Sequence, residues 1–357
     1  MQMPSDSILI VGGGPAGLEA ARGIAEIGYK AILVEKRDRL GGTPDEASYA
    51  ALTPHFKNTD DVLGAMIGAI TSNPLVEIRT GSTVKECSGA AGDFAVTLSK
   101  DGKEEVVSTG AIILATGFDH FDPGRETQMY GYYEHDDVIT LVDAEKMLKQ
   151  HRFVRPSNGA VPKRICFIQC VGSRDRQIGN EYCSKVCCGI ASKQAIEIRQ
   201  IVPDANVFIF YIDMRMYGYW ENQLYWPAQE QYKVNYVKGI VTEVLKKGDK
   251  LVVRGEDTTM GRPMEIPMDL VILSVGMEPS TGTKALAKLL GVRQNKYGFI
   301  EAIGEPMDTV STSVEGVFVA GAAAGPKDLE DSTSMAGAAA MKAIATVRRK
   351  SAITAKV

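Results

Sequence analysis

The sequence predicts an α/β protein of two Rossmann-like dinucleotide-binding domains, the second inserted into the first. Three observations carry this. A short apolar strand over Ser7–Val11 runs straight into the glycine-rich turn VGGGPAGLEAA and then into a helical pattern, the order a dinucleotide fingerprint requires. A second series begins at Arg164, with ICFIQC, ASKQAIEIRQI, NVFIFYID and MDLVILSVG reading as strand, helix, strand and strand. After Gly276 the chain returns to a strand-like VEGVFVAG and an alanine-rich helix. The boundaries that follow are residues 1–122 with 276–357 for the first domain and 123–275 for the inserted one.

In the first fingerprint, Gly12 permits the tight turn, Gly14 lets a pyrophosphate approach the backbone, and Gly17 allows close helix packing. Pro15 and Ala16 open the helix, whose N-terminus attracts phosphate charge. The next strand, AILVE, ends in Glu35 eighteen residues after Gly17, where a carboxylate accepts bonds from an adenosine ribose. The LGG at 40–42 that follows is typical of flavoproteins resembling glutathione and thioredoxin reductases. That resemblance implies FAD and a thioredoxin/glutathione-reductase-like FAD domain. In the disulfide reductases resembling glutathione reductase this segment leads into a redox-active cysteine pair. Here GGTPDEAS supplies no thiol, so direct dithiol exchange beside the flavin is not expected.

Further along, 60–70 reads as a helix, 76–79 as a strand, and 94–98 with 106–108 as a meander around Asp101-Gly102. Cys87 stands alone there and reads as a packed thiol. TGAIILATG at 109–117 matches the second flavoprotein signature, an apolar strand delivered to a glycine turn near the flavin. Between 118 and 162 the text is polar and aromatic, with a helix-like VDAEKMLK. Glu134 and His135 read there as a solvated loop, since no nucleophile or partner carboxylate recurs at fixed spacing.

The inserted domain holds five of the six cysteines, with Cys170, Cys183, Cys187 and Cys188 inside nineteen positions. Thiolates are soft ligands for iron–sulfur clusters, zinc or copper(I). The spacing is Cys, twelve residues, Cys, three residues, Cys-Cys. Adjacent cysteines fit poorly to the paired CxxC knuckles of structural zinc, which favours a 4Fe-4S cluster. Cys166 alternates with Ile168 and Cys170 along a strand-like run and is expected to face packing, whereas Cys170 lies where the strand gives way to Gly172. Where a pyridine-nucleotide domain presents GxGxxG or GxGxxA, this chain has VGSRDRQIGNEYCSKVCC, so the second phosphate cradle is missing. Asp213, at the site of an NAD-selective carboxylate, then reads as a structural cap.

QCVGSRD, YCSKVCC and the following helix with Lys193 resemble the A-subunit family of the heterodisulfide reductases over nearly the whole chain. The resemblance implies that Cys170, Cys183, Cys187 and Cys188 hold one 4Fe-4S cluster. VGMEP at 275–279 recurs in these reductases. The flavoprotein Gly-Asp is Gly321-Ala322 here, removing a carboxylate expected on the ribityl chain; backbone groups or Asp328 are the expected substitutes. An alanine-rich helix is expected to start at Ser332 and to support a reduced flavin with its positive end. Together these resemblances imply a cofactor set of Gly12, Gly14, Pro15, Ala16, Gly17, Glu35, Lys36, Gly42, Thr43, Val84, Ala115, Thr116, Gly117, Gly321, Ala322, Asp328 and Ser332. Compared with full-length members of that family, the chain is expected to lack an N-terminal segment and a ferredoxin-like insert. It looks like the short forms in heterodisulfide-reductase-like complexes of sulfur oxidisers or in quinone-interacting complexes of sulfate reducers. Other subunits of such a complex and a second copy of the chain are the partners implied.

The aromatic stretch 214–226, MRMYGYWENQLYW, reads equally as a pocket or interface and as a lid on its own domain. A net charge of −4 with no basic run argues against nucleic acid and anionic membranes. No apolar run approaches the roughly 20 residues of a membrane span, and MQMPSDS lacks a signal pattern, so a cytoplasmic location is expected. Three functions compete. One is a flavin and iron–sulfur electron-transfer subunit. The second is a self-contained NAD(P)H-dependent oxidoreductase resembling thioredoxin reductase, and the third a zinc-stapled flavin-binding scaffold.

Overall fold

The computed structural model describes residues 6–126 and 128–354, which form two compact units. The first comprises residues 6–46, Asp60–Asp119 and 278–354, and the second Ala47–Thr59 and His120–Met277.

The first unit is built on a five-stranded sheet in the order Val317–Val319, Ala111–Leu114, Ser7–Val11, Lys30–Val34 and Val76–Arg79. Every neighbour is parallel, with Ile8 opposite both Ala31 and Ala111. Strands covered on both faces are near-continuous apolar runs, as SILIV and AIIL are. Helix Pro15–Glu26 starts with proline at its first positions, where no N–H is needed. Its buried Leu18, Ala20, Ala21 and Ile24 join the same core as Ala336, Ala339, Ala340 and Ala343 of helix Leu329–Thr354. That last helix begins three residues earlier than the expected Ser332, because the Asp328 carboxylate accepts the Asp331 N–H at 2.7 Å and its carbonyl accepts the Ser332 N–H. The meander has three strands, Thr83–Ala90, Asp93–Lys100 and Lys103–Thr109. Asp101 and Gly102 both take positive φ, as a two-residue hairpin turn demands. The first of these strands, TVKECSGA, is mostly exposed and lacks an alternating apolar pattern, which is why sequence periodicity misses it.

The second unit carries a seven-stranded sheet in the order Val138–Thr140, Leu270–Val275, Arg164–Val171, Asn206–Tyr211, Asn235–Lys247, Lys250–Asp257 and Arg262–Met268. The first five strands pair in parallel and the last two antiparallel. The register shifts between Ile168 and Val171, so the strand carrying Cys170 is irregular just before the cysteine loop. Helix Leu141–Lys149 begins in a reciprocal capping box of Thr140 and Asp143. The helix expected at 191–201 spans Cys187–Ile201, because the Ile190 N–H already bonds the Val186 carbonyl. Cys187 and Cys188 therefore occupy a helix's first turn. No helix among the described residues is long and apolar enough to cross a membrane.

Candidate functional site

The first unit offers a cradle built from backbone. Gly12, at φ +117°, donates its N–H to the Val34 carbonyl at 2.8 Å and lies so near Ala115 that a Cβ would stand 2.2 Å from the Ala115 oxygen. A Cβ on Gly17 would fall 1.8 Å from the Gly12 carbonyl oxygen, and one on Gly42 2.5 Å from the Gly14 Cα. Any side chain at these positions would displace main chain. Gly14 caps helix Pro15–Glu26 with extended dihedrals and no side-chain bond, leaving that end's N–H groups for an anion.

Glu35 closes the cradle. It is buried, and one carboxylate oxygen accepts the Gly13 N–H at 2.6 Å while the other accepts the Arg37 N–H at 2.9 Å. Each oxygen keeps a lone pair for a ribose hydroxyl. Arg37, not anticipated from the sequence, reaches the Gly42 carbonyl at 3.1 Å and Asp45 at 3.0 Å, pinning the LGG turn. Gly321, at φ +65°, comes within the same neighbourhood: a Cβ there would sit 2.8 Å from that of Ala16 and 3.7 Å from Ser332. Ala322 is buried beside it. Thr116 shares a 2.5 Å hydroxyl bond with Thr283, and its carbonyl accepts from Ser280 at 3.1 Å, ahead of Gly117 at φ +69°. Thr43 lies in the short helix Gly42–Glu46, Lys36 is exposed beyond its strand, Val84 is half-buried on the meander, and Asp328 caps the last helix. The glycine turn, Glu35, Ala115, Gly321 and Ser332 are thus joined, and the start of the strand that carries Val84 is tied to Glu35 through the Ser82 N–H, which the Glu35 carbonyl accepts at 3.0 Å. The close main-chain approaches and the anion-ready helix end fit the diphosphate of FAD.

In the second unit the loop after Arg164–Val171 folds back on itself. Asn180 donates to the Gly172 carbonyl at 3.0 Å, Tyr182 to the Met277 carbonyl at 2.8 Å, and the Ser184 hydroxyl accepts the Met277 N–H at 3.0 Å. A Cβ on Gly276 would meet Ser184 at 2.8 Å. The loop's own N–H groups are committed too: those of Ser173, Arg174 and Asp175 bond the Cys170, Tyr182 and Asn180 carbonyls at 3.1, 2.9 and 3.0 Å. Cys170, Arg174 and Lys185 all adopt left-handed backbone, at φ +63°, +58° and +66°, a conformation costing about 1 kcal/mol for a side-chain-bearing residue and concentrated at functional sites.

The thiols divide by environment. Cys187 lies between Cys170 and Cys188, and its hydrogen bonds lower both. Cys170 falls to about 7, with the Arg174 guanidinium adding to the effect from 4.0 Å. Cys188 is also lowered by the Arg215 N–H, 3.5 Å from its sulfur. Cys187, set beside the Cys170 and Cys188 sulfurs and buried, is raised. Cys183 accepts the Lys185 N–H at 3.3 Å. Cys166 has no exposure, and burial alone pushes its thiol up. Cys87 is partly buried and raised for the same reason. Three sulfurs thus accept an N–H and two favour the thiolate, the state that ligates metal. Among the described residues no three His, Cys, Asp or Glu side chains converge tightly enough for a single ion. Soft thiolate donors with N–H···S bonds suit an iron–sulfur cluster, and the adjacent Cys187 and Cys188 fit poorly to the paired knuckles of structural zinc.

Part of the aromatic stretch packs over its own domain. Trp220 lies on the first turn of helix Cys187–Ile201, where a Cβ on Gly189 would strike its ring at 2.5 Å, and Met216 and Leu224 pack with Cys188. Tyr217, Tyr219 and Trp226 remain exposed. Residues 221–225 form a π-helical turn, a feature frequent at functional sites. Beneath, the buried Lys193 ammonium meets Glu145 at 2.6 Å, the Ala51 carbonyl at 2.9 Å and Glu197 at 3.1 Å. The sequence marks Lys193 only as part of the family resemblance; its ion pair with Glu145 is a tertiary feature.

Residues 6–168 match the family described as pyridine nucleotide-disulphide oxidoreductase. Over 96% of its length the chain is 30% identical to the A-subunit of the H(2):CoB-CoM heterodisulfide,ferredoxin reductase of Methanothermobacter marburgensis, covering 64% of that protein. It is 32% identical, over 94% of its length, to the iron-sulfur A-subunit of the CoB-CoM heterodisulfide reductase of Methanocaldococcus jannaschii, covering 63% of it. The chain spans less than two thirds of the length of these curated relatives. Thioredoxin reductase from T. acidophilum has a similar fold, with a TM-score of 0.64 at 20% identity over 96% of this chain and 99% of that one. Residues 6–168 carry the match to the pyridine nucleotide-disulphide oxidoreductase family, and the fold is Rossmann-type and similar to that of thioredoxin reductase.

Proposed function

We propose that this chain, homologous over nearly all its length to the A-subunits of heterodisulfide reductases, is an electron-transfer subunit of a heterodisulfide reductase-like complex in sulfur metabolism. It acts in the cytoplasm, as a homodimer joined to other subunits. The first unit is its FAD-binding domain, and the second carries one 4Fe-4S cluster on Cys170, Cys183, Cys187 and Cys188. The observation that carries this reading is the coincidence, in one chain, of a glycine cradle closed by Glu35 with thiols whose neighbours favour the thiolate.

When bound, FAD handles two electrons and the cluster one, which together allow pairs to be split into single transfers. The residues supply the rest. Gly12, Gly14, Gly17 and Gly42 admit the diphosphate against main chain, and Glu35 orients the ribose. Ala115, Thr116, Gly117, Gly321, Ala322 and Ser332 would hold the rest of the cofactor, and the start of helix Leu329–Thr354 would favour negative charge there. Arg174 and the N–H groups of Lys185 and Arg215 offset charge on the sulfurs. Trp220, Met216 and Leu224 keep water from Cys188.

The runner-up is a self-contained NAD(P)H-dependent oxidoreductase resembling thioredoxin reductase. It is disfavoured because Asn180, Tyr182 and Ser184 occupy the loop that would cradle the nucleotide phosphates. Anaerobic purification with flavin, iron, sulfide and zinc analysis is the test. About one FAD with iron and sulfide near four each per chain supports the proposal; zinc without sulfide, and no broad absorption beside the flavin bands, would replace it with the scaffold reading.

A further inference from the structure

Arg174 is the one guanidinium that touches a sulfur of the cysteine constellation among the described residues. Its Nη1 lies 4.0 Å from the Cys170 Sγ, and its Nη2 donates to the Asp213 carboxylate at 2.6 Å. The Arg174 side chain is only 16% exposed, against 49% for Asp213, so the cation is held inward while its counter-ion faces water. Asp213 also serves the other end of the constellation. Its backbone carbonyl accepts the Cys188 thiol at 3.9 Å, and two residues on, the Arg215 N–H reaches the same sulfur. A left-handed backbone at Arg174 and at Cys170 brings the guanidinium over the sulfur within four residues of chain. At the end of strand Asn206–Tyr211, where a nucleotide-binding domain places its ribose carboxylate, this chain has turned that carboxylate onto an arginine.

We infer that Arg174, aimed at Cys170 by Asp213, is the positioning residue that sets the reduction potential of the metal centre held by these cysteines. The inference rests on the cluster reading above. The reduced centre carries one more negative charge than the oxidised one, so a fixed, poorly hydrated cation beside a ligand sulfur favours reduction. The half-exposed Asp213 carboxylate opposes that effect while orienting its source. The two residues therefore pull the potential in opposite directions.

The test is an anaerobic redox titration of the purified, cofactor-loaded chain, following the reduced-state paramagnetic signal, with the flavin absorbance of each sample as an internal reference. Arg174→Gln is expected to lower the midpoint so that the reduced-to-oxidised ratio at a fixed poise falls about tenfold, or 59 mV for one electron. Arg174→Lys should recover part of the shift, and Asp213→Asn should move the midpoint upward. The flavin midpoint should stay in place throughout. An unchanged midpoint in Arg174→Gln at full iron content overturns the inference, as does an equal displacement of flavin and cluster. If Arg174→Gln assembles no cluster, Arg174→Lys decides: a measurable, lowered midpoint supports the inference, and loss of iron in both variants assigns Arg174 to assembly instead. Wild-type chain without iron, sulfide or a paramagnetic signal would sink the cluster reading itself.

Discussion

Lys193 and Glu145 meet at 2.6 Å in the interior of the second unit, their side chains 1% and 3% exposed. The same ammonium bonds the Ala51 carbonyl, and the second Glu145 oxygen accepts the Ala50 N–H at 2.9 Å. One ion pair thus ties the hairpin Ala51–Leu52 and Lys57–Asn58 to the helix that begins with Cys187 and Cys188. Removing one member of a dry ion pair leaves an uncompensated charge. Lys193→Met is expected to destabilise the chain by about 3–5 kcal/mol in denaturant unfolding. The double change Lys193→Met with Glu145→Gln should recover much of the loss; no recovery would show that Lys193 acts through packing alone.

Glu197 adds a pH dependence. Burial raises its carboxyl above the ordinary 4.5, with Glu145 adding to the rise and Lys193 opposing it. A raised folded value means the native state holds a proton that the unfolded chain has released, so stability declines as pH climbs from 4.5 through the folded value. Glu197→Gln should flatten this decline. Unfolding midpoints compared across that range would show parallel curves for wild type and variant if Glu197 does not titrate in the native state.

Flavin retention is expected to depend on Gly14. Valine there would push its methyl groups toward Gly42, whose Cα already lies 3.4 Å from where the Cβ would stand, and into the diphosphate path. Gly14→Val should purify colourless at unchanged circular dichroism. A fully yellow, folded variant would place the diphosphate elsewhere.

The isolated chain is expected to oxidise NADH and NADPH only in trace, because the second unit's loop spends the Arg174 and Asp175 N–H groups on the Tyr182 and Asn180 carbonyls. Rapid, saturable bleaching of the flavin by either nucleotide would promote the self-contained reductase reading.

Serine substitutions should separate ligands from packed thiols. Cys187→Ser and Cys188→Ser are expected to lose iron and sulfide with FAD retained, whereas Cys87→Ser and Cys166→Ser should keep both. Cys166→Ser should also cost about 1–3 kcal/mol, since a hydroxyl would replace a fully buried thiol. Full iron and an unchanged paramagnetic spectrum in Cys188→Ser would break the four-cysteine assignment and send the search to Cys166 or Asp175.

By itself the sequence determined the strand, glycine turn and helix over residues 7–26, Glu35 at the end of the next strand, and the grouping of the cysteines. Those are local properties: glycine spacing, a period of two or of 3.6, and composition within a short window report on backbone that folds next to itself. The first strand of the meander and the antiparallel strands of 235–268 escaped it because half-exposed strands carry weak periodicity. The tertiary structure alone decided that Ala47–Thr59 folds with the second unit, that Cys187 faces both Cys170 and Cys188, and that Asp213 is spent on Arg174. The Asp213–Arg174 pair joins residues 39 apart, and the contacts of Cys187 depend on how the loop folds back, neither of which a short sequence window contains.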